Sequence, residues 1–168
     1  MEYIDKITGS TKDEFYNNLL LIIEGLISGE EDSLANLCNV ASVLYNNLDD
    51  INWVGFYRMK NGELLLGPFG GKPACVRIKI GRGVCGSAAR DKRTYVVANV
   101  HEFEGHIACD SASNSEIVVP IIKDDVVFGV LDIDSPIFNR FDETDRIYLE
   151  KLVEKLNQYI KWEDISRI

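Results

Sequence analysis

Near residue 50 the hydrophobic pattern switches from a helical period to a strand period, and a turn dipeptide follows at once. Trp53 to Lys60 is aromatic and strand-like, Asn61-Gly62 comes next, and Glu63 to Phe69 continues as a second run. Asn-Gly between two such runs specifies a tight antiparallel hairpin, because both central residues must take positive φ. A second hairpin is predicted from Glu116–Ile122 and Val126–Asp134, turning at Lys123-Asp124-Asp125. Pro120 cannot donate to a sheet ladder, so its strand should meet an edge or a bulge there. Cys75–Ile80 alternates as a strand, and Thr94–Val97 is another short one. Gly67-Pro-Phe-Gly-Gly-Lys-Pro73 is rich in breakers and reads as a loop. Gly81-Arg-Gly-Val-Cys-Gly86 turns into a short helix over about 84–90, and residues 98–114 form a long loop.

Helices bracket this β-rich middle. Thr11-Lys-Asp-Glu14 is a capping-box pattern, and Phe15, Leu19, Ile22, Ile23 and Leu26 recur at helical spacing after it. A second helix is predicted from about Ser33 to Leu48, with Cys38 on its apolar stripe as a small core residue. Asp142 caps the last helix, whose inner face is Ile147, Leu149, Leu152, Val153, Leu156 and Ile160. The chain contains no repeat and no linker. These elements make an α+β domain over residues 1–168, with 1–10 and 161–168 as terminal segments. Its helices should cover one face of an antiparallel sheet and leave the other to loops that form a pocket.

The net charge is −9, from 18 Lys and Arg against 27 Asp and Glu. Such a surface repels phosphate backbones and anionic lipid, so neither nucleic acid nor a membrane is an expected partner. No apolar run approaches the length of a membrane span, and the N-terminus lacks the pattern of a signal peptide. A cytoplasmic location follows, where thiols stay reduced. The four cysteines are then read as catalytic, metal-binding or buried groups, not as a disulfide framework.

Gly105 to Pro120 concentrates the chemistry. Cys109 lies in a polar loop with His106, Asp110, Ser111, Ser113 and Asn114 around it. A lone cysteine is most simply a buried small hydrophobe, but polar neighbours bring the reactive-thiol reading level with it. Cys75 and Cys85 flank glycine-rich turns, where backbone can approach a ligand. A thiol oxidised to sulfenic acid needs a second thiol to condense with. Zinc held by the cysteines with His101 or His106 is the competing reading, weakened by the lack of any close Cys pair. No metal and no cofactor is expected. Asp132 and Asp134 alternate on one strand and so share a face, and the hairpin brings Glu116 near them. Three carboxylates there repel one another and raise at least one pKa, which provides a proton donor. Trp53, Tyr57 and Phe69 come from the first hairpin, and one or two of them can wall a pocket.

Asn52-Trp-Val-Gly-Phe-Tyr57, Gly67-Pro-Phe69, Gly81-Arg-Gly-Val-Cys-Gly86, Gly105-His-Ile-Ala-Cys-Asp110, Ser113-Asn-Ser-Glu116 and Leu131-Asp-Ile-Asp-Ser135 resemble the free methionine-(R)-sulfoxide reductases, a group of stand-alone GAF domains. The resemblance runs nearly end to end. It implies a six-stranded antiparallel sheet with helices on one side and the ligand pocket on the other. It implies thiol-dependent reduction of free methionine-(R)-sulfoxide, regeneration by thioredoxin or another dithiol, and a homodimer. By position, Cys109 resembles the attacking cysteine, Cys75 the resolving one, and Cys85 a further redox partner. Glu116, Asp132 and Asp134 resemble the substrate-binding acids, and Trp53 and Tyr57 the pocket aromatics. The alternatives are a non-catalytic ligand-sensing GAF module and a thiol redox sensor.

Overall fold

Asn61 and Gly62 both take positive φ, at 54° and 79°, and the hairpin they close is the centre of the sheet's first half. The computed structural model describes residues 6–105 and 111–167. Its strands are β1 (Trp53–Lys60), β2 (Glu63–Gly71), β3 (Arg77–Lys79), β4 (Tyr95–Val97), β5 (Ser115–Lys123) and β6 (Val126–Ser135). They form one antiparallel sheet in the order β3-β2-β1-β6-β5-β4. The helices are α1 (Lys12–Ile27), α2 (Ser33–Asn47), α3 (Gly83–Asp91), α4 (Glu143–Tyr159) and α5 (Trp162–Arg167). The fold is the expected α+β arrangement.

Alternation along the strands makes two cores. Val54, Phe56, Ile117, Val119, Leu131 and Ile133 face α1, α2, α4 and α5 in the larger one. Trp53, Tyr57, Val118 and Val130 point the other way and meet α3 through Val84, Cys85, Ala88 and Ala89. The helices are therefore divided four to one, and α3 is part of the pocket side.

The strand boundaries hold two local departures. β2 runs past its expected end at Phe69 to Gly71, through the start of the expected loop at Gly67 and across a register shift between Gly55 and Tyr57 of β1. Pro68 is tolerated because pairing is interrupted at that shift. The extension places Phe69 opposite Gly55. Pro120 pairs with Val130 of β6, while on its other side β4 has already ended at the Tyr95–Val118 pair. It sits at a locally open edge, as proline requires.

Capping follows the sequence closely. Thr11 Oγ1 accepts from the Glu14 amide at 3.1 Å, but the Glu14 carboxylate reaches back to the Ser10 amide, one residue earlier than a capping box demands. At α4 the box is complete between Asp142 and Asp145. Three readings of the helices need correction. Cys38 is exposed, because the buried face of α2 runs through Leu37, Val40, Ala41 and Leu44, and Cys38 lies one position off it. Ile147 is also largely exposed, at the flank of α4. The last helix predicted ends near 160, yet α5 follows and buries Trp162 and Ile165. Among the described residues no helix is long and apolar enough to cross a membrane.

Asp145 does more than cap. It is fully buried, accepts from the Tyr16 hydroxyl at 2.6 Å, pairs with Lys12 at 2.6 Å and meets Arg140 at 3.4 Å. One carboxylate thus joins α1, α4 and the β6–α4 connection. Removing it strands a buried hydroxyl and a half-buried guanidinium. Asp145→Ala should lower the unfolding free energy by about 3–5 kcal/mol, read from urea titrations. A loss under about 1 kcal/mol would show that the junction holds without it.

Candidate active site

The register of three strands sets the floor of a cavity. Glu116 stands opposite Asp134, and Trp53 continues that row on β1. Asp132 stands opposite Val118, and Gly55 continues the adjacent row. All the side chains of these rows point away from the four-helix face. Gly55 matters because a Cβ there would lie 2.6 Å from the Trp53 ring and 2.5 Å from Phe69 Cβ. Without one, the indole lies flat across the strand, stacked on Phe69 at 5.5 Å and on Tyr57 at 5.9 Å between centroids.

These aromatics also fasten the segment that follows β2. The Trp53 indole donates to the Lys72 carbonyl at 3.2 Å, and the Tyr57 hydroxyl donates to the Cys75 carbonyl at 3.0 Å. Cys75 itself is disulfide-bonded, whereas Cys38 and Cys85 are free thiols. From the far side α3 closes the cavity with its first turn. Arg82 is its N-cap residue and makes no side-chain cap, and Gly83 has φ 61°. The Cys85 thiol, one turn in, lies 4.0 Å from Glu116 Oε1. The cavity measures about 550 Å³ including its mouth, with Trp53, Tyr57, Ala74 and Arg82 among its walls and Cys85, Glu116, Asp132 and Asp134 at its base.

The acids are deeply desolvated, with Glu116 5% and Asp132 6% exposed. Burial, then the charges of Asp132 and Asp134, push the Glu116 carboxyl well above the usual carboxylate range. Burial raises Asp132 to about 6, while hydrogen bonding with Cys85 and Glu116 opposes the rise. Asp132 Oδ1 has no hydrogen-bond partner within the protein. Burial, then the charges of Asp132 and Glu116, hold the Cys85 thiol far up, so it stays protonated. Tyr57 is raised too, by burial first and by Asp132 next. The cluster therefore holds protons at neutral pH yet presents negative charge to a cation.

Six residues read from sequence meet here: Trp53, Tyr57, Cys85, Glu116, Asp132 and Asp134 all line the one cavity. Cys75 is tied to its wall through Tyr57. Cys109 and His106 lie outside the described residues. His101 is exposed and bonds Asn114 Oδ1 at 2.9 Å, away from the acids. Arg140 serves Asp145 and the Asp49 carbonyl, not the cavity. Arg82 and Ser113, by contrast, line it. The signal for Arg82 was the Gly81-Arg-Gly83 turn opening a helix, which places backbone amides at the cavity. Ser113, held by the Asn52 amide at 3.0 Å, stands in the sequence only as part of the polar loop and of the Ser113-Asn-Ser-Glu116 run, with no role assigned to it there.

A family model for the GAF domain matches residues 28–161. The free methionine-R-sulfoxide reductase of Escherichia coli is 47% identical over 156 residues, spanning 93% of this chain and 94% of the relative. The Saccharomyces cerevisiae protein of the same name is 44% identical over 165 residues, spanning 94% and 92%. In three dimensions the chain is similar to the Neisseria meningitidis free methionine-R-sulfoxide reductase in complex with its substrate, with a TM-score of 0.91, 42% identity, and 98% and 99% of the two chains covered. With its acid-floored cavity in a sheet of this order, the chain belongs to the GAF-domain family, among the free methionine-R-sulfoxide reductases.

Proposed function

We propose that the protein reduces free methionine-R-sulfoxide to methionine, with Cys109 as the nucleophile, Glu116 as the proton donor and Cys75 as the resolving thiol. The observation that carries this reading is the cluster of buried Glu116 and Asp132 with half-buried Asp134 under an aromatic wall, beside a segment whose cysteine is disulfide-bonded.

The Cys109 thiolate attacks the sulfoxide sulfur. Glu116, protonated because it is buried beside two aspartates, hydrogen-bonds the sulfoxide oxygen and supplies its proton. The oxygen passes to Cys109, methionine leaves, and a sulfenic acid remains. The Cys75 thiol attacks that sulfur and expels water, which leaves a disulfide. An external dithiol reduces the disulfide by exchange. In sum, one sulfoxide and two thiols give methionine, a disulfide and water.

The cavity supplies each contact a free amino acid needs. Asp132 and Asp134 bind the ammonium group. The Trp53 and Tyr57 rings pack against the apolar end of the substrate. The first turn of α3, with Arg82, suits its carboxylate. Both ionic groups are absent from a methionine within a peptide, which explains selection of the free amino acid. Cys85 contributes differently. Held protonated among carboxylates, it is a poor nucleophile and acts here as a hydrogen-bond donor to the acids, not as a resolving thiol. That Cys75 is oxidised while Cys85 is free supports the same division. Thioredoxin as the dithiol, a reducing cytoplasm as the setting and a homodimer as the assembly complete this reading.

Cys109→Ser should abolish turnover of the R sulfoxide, followed by amino-acid analysis; substantial steady-state activity in that variant would remove the nucleophile from the scheme. Cys75→Ser, in the absence of small thiols, should release about one equivalent of methionine per active site and then stall. Sustained thioredoxin-driven turnover in Cys75→Ser would transfer the resolving role to Cys85. The acids also leave a signature in stability. Asp132 has a higher pKa folded than unfolded, so between about pH 4 and 6 the native state binds more protons and stability falls as pH rises. That loss persists above pH 6. Asp132→Asn removes it and should stabilise the protein at neutral pH by up to about 3 kcal/mol in urea titrations, with no gain at pH 4. Equal effects at both pH values would contradict the buried charge.

A further inference from the structure

We propose that Cys85, Glu116 and Asp132 form a binding site for one thiophilic divalent cation, zinc above all, and that the bound ion closes the pocket to substrate. One ligand atom from each of the three lies within 4.8 Å of the others, and all three residues are buried. A tetrahedral zinc with a sulfur at about 2.3 Å and an oxygen at about 2.0 Å sets those two ligands about 3.5 Å apart. Cys85 Sγ and Glu116 Oε1 are at 4.0 Å, a contraction that side-chain rotation supplies. The third ligand is the independent sign of a missing partner. Asp132 is nine-tenths buried, lines the cavity, and leaves Oδ1 without a partner in the protein.

Charge and softness point the same way. Glu116 and Asp132 share a desolvated floor with Cys85, and a divalent ion offsets the repulsion between the two carboxylates. A thiolate with two carboxylates favours zinc, cobalt or cadmium over magnesium or calcium, which prefer all-oxygen shells. The cavity leaves the fourth position to water, as in an open zinc site. Binding expels the thiol proton of Cys85 and the carboxyl proton of Glu116 into solvent. The ion then occupies the place where the substrate ammonium and sulfoxide oxygen are proposed to sit. This blocking effect rests on the reductase reading given above; the metal site itself rests on the geometry alone.

Cobalt(II) is the probe, because a thiolate ligand gives it a near-ultraviolet charge-transfer band that carboxylates alone do not. The full-length Cys109→Ser protein, reduced with a phosphine, cannot turn over and carries no competing small thiol. Titration should produce the band with saturation at about one cobalt per chain, and zinc should bleach it. Adding Cys38→Ser or Cys75→Ser to that background should leave the band in place, and adding Cys85→Ala should abolish it. Asp132→Asn, which keeps the thiol, should weaken cobalt binding at least about tenfold. Near-ultraviolet circular dichroism of each variant shows whether the pocket face has kept its packing. No band, or a band that survives Cys85→Ala, overturns the site. Free methionine-R-sulfoxide should suppress the band in proportion to its occupancy. A band that saturating sulfoxide leaves unchanged overturns the blocking effect, while turnover by metal-free wild-type protein tests the reductase reading separately.

Discussion

Carboxylates removed from water and set side by side raise one another's pKa, and the rest of this molecule is arranged around that effect. Glu116 and Asp134 face each other across the β5–β6 ladder, and Asp132 is two residues along the same face. A slip of one residue in that pairing would turn Glu116 toward the helices and leave the aspartates without their neighbour. The register is fixed by the apolar residues in between: Ile117, Val119, Leu131 and Ile133 are nearly or fully inaccessible in the opposite core. The chemistry on one face of the sheet is thus held in place by packing on the other.

An arrangement of this kind is unfavourable for folding, and other parts of the structure offset it. The four helices on the far face bury a large apolar core, and Asp145 joins α1 to α4 through a hydroxyl, an ammonium and a guanidinium. Asp145, Glu116 and Asp132 are all buried, yet their situations are opposite. Asp145 is surrounded by donors and contributes to stability. Asp132 is surrounded by other acids and keeps Oδ1 without a partner. A buried polar atom left unsatisfied in a cavity is the mark of a site waiting for a ligand, where function is maintained against stability.

Much of this was legible in the sequence where a local rule had no competitor. Asn61-Gly62 gave its turn, Asp142 its cap, and the alternation of Asp132 and Asp134 their common face. The failures came where tertiary context decides. Gly67-Pro68 reads as a break, but an interruption in the β1 ladder accommodates the proline and the strand continues to Gly71. Cys38 lies on a plausible apolar stripe, but helix α2 is rotated so that Leu37 and Ala41 face inward instead. Trp162 and Ile165 form one short turn of apolar residues with no period to detect, and only the docked helix reveals their use. The acid cluster and its aromatic wall were readable as types and spacings. The distance from Cys85 to Glu116 was not, since it depends on how α3 docks across the sheet.

That docking changes how the three cysteines near the site compare. By sequence they look alike, each beside small or polar residues. In the fold, Cys85 is fixed inside a helix and surrounded by acids that oppose its ionisation, so neither motion nor charge favours it as a partner for a sulfenic acid. Cys75 is in an irregular segment whose Lys72 and Cys75 carbonyls are held by two aromatic side chains, while its sulfur is engaged in a disulfide. Such an anchor restrains the chain through its backbone and leaves the cysteine's sulfur to disulfide chemistry. It also ties the redox segment to the pocket wall, because the Tyr57 hydroxyl that holds Cys75 belongs to a ring that lines the cavity. A substrate pressed against that ring therefore acts on the same contact that positions the proposed resolving thiol, and this is a physical route by which an occupied pocket can influence the step that follows release of methionine.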